Sequence, residues 1–286
     1  MRINLVVNTH RRDAIQAARD IAALLESHGV DVGAESEAAS FLGVASVRDD
    51  DVGDADAVVC FGGDGTLIRA AHLCSERGTP ILGVYFGSFG FVTQCLGNET
   101  PDAISALLEG KLKIEERMML RTELLRSGEP IATVHALNEV VLQRAVTARM
   151  MIFGVTIDGC EVTRYPADGV IVSTPTGSTA YNLSAGGPIV DPEVQAMLLT
   201  AIAPHTLSAR SLVLKPQSEV RLRLRTEGDA VLSADGQSRL HLLTGDEVRV
   251  VRSERVTRLI QVDGTDFLFK LRERLFYGRS VARGQE

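Results

Sequence analysis

Over the first third of the chain, short unbroken apolar runs alternate with sets of apolar residues at helical spacing. Ile3-Asn4-Leu5-Val6-Val7 reads as a strand. Ala14, Ile15, Ala18, Ile21, Ala22 and Leu25 repeat at helical intervals, and Gly29 stands where such a helix stops. A second strand starts at Val30. Ala57-Val58-Val59-Cys60-Phe61 is apolar at every position, the signature of a parallel strand buried on both faces. Leu67-Ile68-Arg69-Ala70-Ala71 after it reads as helix, ended by Gly78-Thr79-Pro80. Ile81 to Tyr85 is the next strand, and Ala103, Ile104, Leu107 and Leu108 form another helix closed at Gly110. Residues 33–55 are rich in Ala, Ser, Gly and Asp. The Asp49-Asp50-Asp51 run within them reads as a solvated loop before it reads as a metal site, because no spacing converges its carboxylates. Residues 1–110 therefore predict an α/β domain, a parallel sheet wrapped by helices.

The period changes after Gly110. Met151, Phe153, Val155 and Ile157 alternate with their neighbours, Asp158-Gly159 is a hairpin signal, and Glu161 to Tyr165 form the return strand. Val134 to Leu142 reads as one apolar strand interrupted by Asn138-Glu139. Val220, Leu222 and Leu224 alternate with Arg221, Arg223 and Arg225, a half-buried strand with a wet basic face. Further strands are expected at Val248 to Val251 and Leu259 to Val262. Residues 111–265 thus predict a β-rich C-terminal domain, mostly antiparallel. Phe267, Leu268, Leu271 and Leu275 return to helical spacing, with Lys270, Arg272, Glu273 and Arg274 on the wet side. This end helix, 266–286, is expected to pack back on the first domain.

Composition narrows the function classes. In 286 residues, 45% are hydrophobic and 23% charged, the balance of an ordinary globular protein of one large or two modest domains. A net charge of −7 argues against a general binder of nucleic acid or anionic membrane, which needs clustered Lys and Arg. Cys60, Cys74, Cys95 and Cys160 form no C-x-x-C pair, and no His cluster has zinc spacing. Met1-Arg2 leads straight into a strand, with no targeting signal. No apolar run approaches the roughly 20 residues that span a bilayer. A reducing cytoplasm is the expected location.

Candidate chemistry gathers in two glycine-rich stretches. Gly62-Gly63-Asp64-Gly65-Thr66 lies at a strand-to-helix turn. Its glycines keep side chains off the backbone, and the unpaired N–H groups of the following helix favour an anion. The C-terminal ends of parallel strands are where open α/β sheets bind ligands. A lone acid, Asp64, suits metal or proton chemistry beside the phosphate. A tight turn with Asp as helix N-cap accounts for the same residues. The second stretch follows the strand Gly169 to Ser173: Thr174-Pro175-Thr176-Gly177-Ser178-Thr179-Ala180-Tyr181, then Asn182-Leu183-Ser184-Ala185-Gly186-Gly187-Pro188. A long loop of hydroxyls and glycines in a compact domain favours ligand binding, and Tyr181 offers a stacking face. Glu139 suits a ribose diol, or it is a solvent-facing edge position; Asp168 is a turn residue or a cleft carboxylate.

Taken together these residues resemble the NAD kinases. Gly62-Gly63-Asp64-Gly65-Thr66, Asn138-Glu139, Ala167-Asp168-Gly169, the segment Ser173 to Tyr181, Ser184-Ala185-Gly186-Gly187-Pro188 and Asp235-Gly236-Gln237 occur in the family's order and spacing. The first motif alone is shared with diacylglycerol and sphingosine kinases and phosphofructokinases; the second loop makes the resemblance specific. It implies an active site between the two domains. It also implies ATP or polyphosphate as phosphoryl donor, a divalent metal with Mg²⁺ foremost, and the 2′-hydroxyl of the adenosine ribose of NAD as acceptor. Dimers or tetramers are implied, with a neighbouring subunit helping to bind the dinucleotide.

Carried over by position, Asp64 is the proton acceptor, Gly65 lines the same site, and Arg69 faces phosphate. Asn138 and Glu139 hold ribose or adenine groups, and Asp168 contacts the nicotinamide end. Thr179, Ala180, Tyr181, Asn182, Leu183 and Ser184 wrap the adenosine. Arg149, Ala203 and Gln237 fall at contacting positions. Two positions depart from the family pattern. Tyr85 stands where Asn is usual, ahead of Gly87 and Gly90, and Pro166 stands where a basic residue is frequent. They leave open a catalytically weakened NAD(P)-binding sensor, and the shared glycine loop leaves open a lipid or sphingoid-base kinase.

Overall fold

The computed structural model describes residues 1–86, 90–92, 95–145, 150–226, 228–262 and 267–276. The chain divides into two compact units, residues 1–116 with 257–286, and residues 117–256.

The first unit opens with β1 (Arg2–Val7), α1 (Arg12–Ser27), β2 (Asp31–Glu35), α2 (Ser36–Leu42) and β3 (Ala45–Val47). It continues with β4 (Ala57–Gly62), α3 (Asp64–Cys74), β5 (Ile81–Tyr85), β6 (Cys95–Leu96) and α4 (Thr100–Leu108). Its sheet runs β5-β4-β1-β2-β3, every pair parallel. The apolar run of β4 is buried at all six positions, as its composition requires of a central strand. In α1, Ala14, Ala18, Ile21, Ala22 and Leu25 face the core at i, i+3 and i+4 intervals. Because β2 lies on one side of β1 and β4 on the other, the loops after β1 and β4 diverge. That topological switch opens a crevice at the strands' C-terminal ends.

Two expectations for this unit are corrected, and one element is unforeseen. Residues 36–42, for which the composition names no element, are helical; Ala38, Ala39 and Leu42 are buried and Gly43 ends the turn at φ 75°. Seven residues are too few for the periodicity to stand out. Helix α3 stops at Cys74, not at Gly78-Thr79-Pro80, although the Gly78 and Thr79 amides still reach back to the Cys74 carbonyl. In α6 (Phe267–Phe276) the buried side carries Lys270, while Leu268 is 65% exposed. The inward side carries Phe267, Lys270 and Leu271. The Phe267 ring lies 6.5 Å from that of Phe91, within the same unit.

The second unit carries most of β7 (Lys113–Arg126) and of β18 (Glu247–Gln261), whose outer ends belong to the first, with β8 (Glu129–Ala136), β9 (Glu139–Arg144), β10 (Met151–Ile157), β11 (Cys160–Ala167) and β12 (Gly169–Ser173). After the one-turn helix α5 (Tyr181–Ser184) come β13 (Met197–Ile202), β14 (Leu212–Leu214), β15 (Val220–Leu224), β16 (Ala230–Ala234), β17 (Ser238–Leu242) and β18 (Glu247–Gln261). One antiparallel sheet is ordered β14-β13-β12-β9-β16-β17. A second runs β11-β10-β15-β18-β7-β8, and the core between the layers includes Leu142, Phe153, Val170, Leu199, Leu222 and Val250. The expected hairpin at Asp158-Gly159 is present, with φ of 49° and 82°. The wet basic face of β15 is ion-paired: Arg221 and Arg223 meet Glu247, and Arg225 meets Glu161.

The single strand expected over Val134 to Leu142 is two strands. The break falls at Leu137-Asn138, where the backbone turns its N–H groups away from any ladder and onto the carboxylate of Asp235.

Candidate functional site

The glycine loop sits in the switch-point crevice of the first unit. A Cβ on Gly62 would lie 2.2 Å from Thr66 Oγ1, so glycine lets the strand run straight into α3. Gly63 and Gly65 have nothing within 4 Å of a Cβ and present bare backbone. Beside them lies a cleft of about 570 Å³, lined also by Asn8, His10, Glu35, Asp49 and Arg69. The carboxylate of Asp64 accepts hydrogen bonds from the backbone N–H of Phe91 (2.9 Å) and of Val92 (3.2 Å). Gly90 permits this approach, since a Cβ there would stand 2.0 Å from Asp64 Oδ1. The lone acid thus holds the backbone of Phe91 and Val92 beside the glycine loop.

Arg69 stands at the cleft wall. Its guanidinium donates to Glu35 (2.5 Å) and to the Val7 carbonyl (3.1 Å). Glu35 is buried, and burial pushes its carboxyl up while the Arg69 charge pulls it back. One edge of the guanidinium is thereby spoken for, and the side chain is still 42% exposed to the cleft. Tyr85 pairs in register with Gly62 at the end of β5, beside the loop. Gly87 and Arg149 lie outside the described residues.

The second unit holds another cleft, about 560 Å³, lined by Glu139, Arg144, Tyr181, Asp235, Arg239 and His241 among others. Glu139 is 7% exposed and its Oε2 has no hydrogen-bond partner. Burial first, and the Asp235 charge second, push its carboxyl up to about 8, against a backbone hydrogen bond from Tyr181 that lowers it. Asn138 is also buried, with Oδ1 unpartnered. Buried polar atoms without partners are costly, and here two fall on adjacent residues, of which Glu139 lines the cleft. The hydroxyl-rich loop is built onto the same residues. The Asn138 carbonyl accepts from the Thr174 N–H (2.8 Å) and from Ser173 Oγ (3.1 Å), and Thr174 Oγ1 donates to the Leu137 carbonyl (2.6 Å).

Glu139→Gln is expected to show the cost of that burial. A carboxyl raised in the folded state is protonated there while the unfolded chain ionises, so its contribution is lost as pH rises from the ordinary carboxyl range to about 8. The stability of the Gln variant relative to the parent should therefore rise with pH across that interval, by up to about 1.4 kcal/mol per pH unit. Urea denaturation at pH 5, 6.5 and 8 measures it; a pH-independent difference contradicts the assignment.

The remaining sequence-predicted residues distribute unevenly. Tyr181 is 39% exposed and opens on the cleft. Thr179 and Ala180 are half-buried on the preceding turn, and Leu183 and Ser184 complete α5. The Asn182 side chain is buried and engaged by Ser178, Pro188 and Thr200, so it braces the loop from within. Asp168 pairs with Arg144 at 3.0 Å, and through Arg144 it adjoins the cleft. Ala203 follows Ile202, whose carbonyl accepts the Asp168 N–H, and has φ 42°. Gln237 is exposed at the β16–β17 turn. Sequence reasoning missed Arg144, Arg239 and His241; the last two share one face of β17 at period two, which was the available signal. It also missed Glu35, placed at the C-terminal end of a parallel strand.

Comparison with known proteins covers both units. The family described as ATP-NAD kinase N-terminal domain matches residues 3–112, and that described as ATP-NAD kinase C-terminal domain matches residues 137–262. NAD kinase of Moorella thermoacetica is 43% identical over 282 residues, 98% of this chain and 90% of that protein. NAD kinase of Symbiobacterium thermophilum is 41% identical over 275 residues, 95% of this chain and 97% of that one. Among solved structures, yeast NADH kinase complexed with NADH aligns with TM-score 0.91 and 26% identity, over 97% of this chain and 88% of that chain. An NAD kinase from Archaeoglobus fulgidus in complex with ATP aligns with TM-score 0.76 and 26% identity, over 99% and 100%.

Proposed function

The chain belongs to the NAD kinase family, and from that premise we propose how its own residues carry out the reaction. It is a phosphotransferase that moves the terminal phosphoryl group of ATP to the 2′-hydroxyl of the adenosine ribose of NAD, giving NADP. Identity of about 40% to NAD kinases over nearly the whole chain favours this over a lipid kinase or a silent sensor. In the transfer the O2′–Pγ bond forms, the bond from Pγ to the β–γ bridging oxygen breaks, ADP leaves, and the hydroxyl proton passes to the Asp64 carboxylate. A ribose hydroxyl is a weak nucleophile at neutral pH, so an acceptor for its proton lowers the barrier. The bare backbone at Gly63 and Gly65 and the guanidinium of Arg69 meet the donor phosphates, stabilising charge that spreads over them.

In the second unit, Asn138 Oδ1 and Glu139 Oε2 accept from the amine and hydroxyl groups of adenosine, and the Tyr181 ring stacks. The observation that carries this is the buried, unpartnered oxygen of Glu139 in the wall of a cleft that an exposed tyrosine also lines, with the unpartnered Asn138 oxygen on the adjacent residue. Among the described residues no group of three or more acidic, His or Cys side chains is gathered as a metal cage. Mg²⁺ would arrive on the nucleotide phosphates and would supply charge neutralisation there, so no cage of side chains is required of this chain. We therefore write the donor as Mg²⁺–ATP, the ion offsetting phosphate charge. Among the described residues no helix is long and apolar enough to cross a membrane. Assembly as a dimer or tetramer, with residues of a neighbouring subunit helping to bind the dinucleotide, is part of the same proposal.

The test is incubation with NAD, ATP and Mg²⁺, read by an NADP-specific dehydrogenase, with polyphosphate, NADH and a sphingoid base as alternative substrates. NADP formation that a chelator abolishes supports the proposal. Binding without turnover, or phosphorylation of the lipid alone, overturns it.

A further inference from the structure

Asp235 has no role in the reaction as derived above, yet it is tied to the dinucleotide cleft more heavily than its position in a hairpin turn demands. Asp235-Gly236-Gln237 connects β16 to β17, with Asp235 at φ 50° and Gly236 at φ 70°, both left-handed. Glycine or asparagine would serve that turn without a charge. Here the carboxylate is folded back against the strand break between β8 and β9. Oδ2 accepts the N–H of Leu137 at 2.7 Å, and Oδ1 accepts those of Asn138 at 2.8 Å and Glu139 at 3.0 Å. Three successive amides around one carboxylate form an anion nest filled by the protein itself. The tie is reciprocal, because the Asp235 N–H donates to the Glu139 carbonyl at 3.0 Å.

The consequence falls on the side chains. Amides 137 to 139 could only point at Asp235 by leaving the ladder, and that departure sets the direction of the two side chains whose oxygens have no partner, Asn138 and Glu139. We propose that Asp235 is a positioning residue for NAD recognition, acting through the backbone of Asn138 and Glu139 to aim their unpartnered oxygens at the dinucleotide. Its charge also acts on Glu139 directly, as one of the two causes that raise that carboxyl. The inference rests on the reading of this cleft as the dinucleotide site.

Asp235→Asn tests it, because the amide keeps one acceptor oxygen and turns an NH₂ against an N–H. The KM for NAD is expected to rise about tenfold, the scale of one lost hydrogen bond to a charged group, while the KM for ATP stays put. The same substitution in a Glu139→Gln background should cost less than about threefold, since the group it aims has already been changed. Equal penalties in the two backgrounds, or equal rises for NAD and ATP, overturn the positioning role. If Asp235→Asn fails to fold, Gly236→Ala displaces the carboxylate instead: a methyl meets nothing within 4 Å but is strained at φ 70°. It should reproduce the selective rise for NAD, and an unchanged KM for NAD counts against the proposal. Glu139→Gln alone separates the two levels. If it leaves the KM for NAD unchanged, the cleft is not the dinucleotide site; if it raises that KM and Asp235→Asn does not, only the positioning role is lost.

Discussion

Asp64→Asn is expected to lower turnover by about 10²–10⁴, the scale of a lost general base, while the protein stays folded. The side chains are isosteric, and the asparagine oxygen can still accept one of the two amides, of Phe91 or Val92, that the carboxylate now holds. What asparagine cannot do is take a proton. The fall should therefore appear in kcat, with the KM for NAD little changed. Circular dichroism and thermal melting beside steady-state kinetics make the distinction. Near-normal NADP formation by the variant removes Asp64 from the chemistry and leaves it the structural duty of ordering residues 90–92. Asp64→Ala should differ from Asp64→Asn by also releasing both amides, so its melting temperature should be the lower of the two.

The largest stability effect is expected at Gly177. A Cβ there would lie 2.2 Å from the Asn138 carbonyl oxygen and 2.5 Å from its carbon, so the clash is with backbone and no side chain can swing away. Gly177→Ala should cost about 3 kcal/mol, the upper part of the usual range for overpacking. The displaced segment is the one that carries the Asn138 and Glu139 acceptors, so the KM for NAD should rise in the protein that remains folded. Gly63→Ala is the control. It meets nothing within 4 Å, and its stability should stay within about 0.5 kcal/mol of the parent. Urea denaturation of the pair measures the contrast; equal stabilities would mean that the second loop is not packed on Asn138 as described.

These two glycines mark what can be read from a sequence and what cannot. β4 announces itself because every residue from Ala57 to Phe61 is apolar, and the structure buries them all. Helix α1 is legible for the complementary reason, one apolar stripe against a charged face. The alternation of β10 and the Asp158-Gly159 turn identify a hairpin within a dozen residues. Each of these rests on forces between near neighbours. The break at Leu137-Asn138 does not. Its cause is a carboxylate 97 residues further along the chain, and within its own window the segment is simply an apolar strand with two polar residues in it. Asn182 is a similar case. Its neighbours suggest a ligand contact, whereas the Thr200 hydroxyl, on β13, donates to its amide oxygen. Lys270 is a third: a lysine among apolar residues reads as the wet side of a helix until the stripe it shares with Phe267 and Leu271 is seen to face inward. Short-range pattern identified the elements and the motif-bearing residues, while long-range hydrogen bonds assigned their duties.

The same contrast runs through the candidate site. Asp64 and Glu139 could be named because an acid among glycines and an acid inside a strand are both expensive to explain otherwise. Glu35 and Arg144 could not, since a charged residue at the end of a strand is ordinary. Glu35 holds Arg69 at the wall of one cleft, and Arg144 links Asp168 to the other.

The account turns on a proton taken from one particular hydroxyl, and the position of the phosphate on the product reports that most directly. ³¹P and ¹H NMR of the dinucleotide formed from NAD and Mg²⁺–ATP should show a single new phosphate on O2′ of the adenosine ribose, formed by the parent enzyme and reduced in rate by at least about 10² in Asp64→Asn. A phosphate on O3′ or on the nicotinamide ribose, or a 2′-phosphate formed equally fast by both proteins, contradicts it.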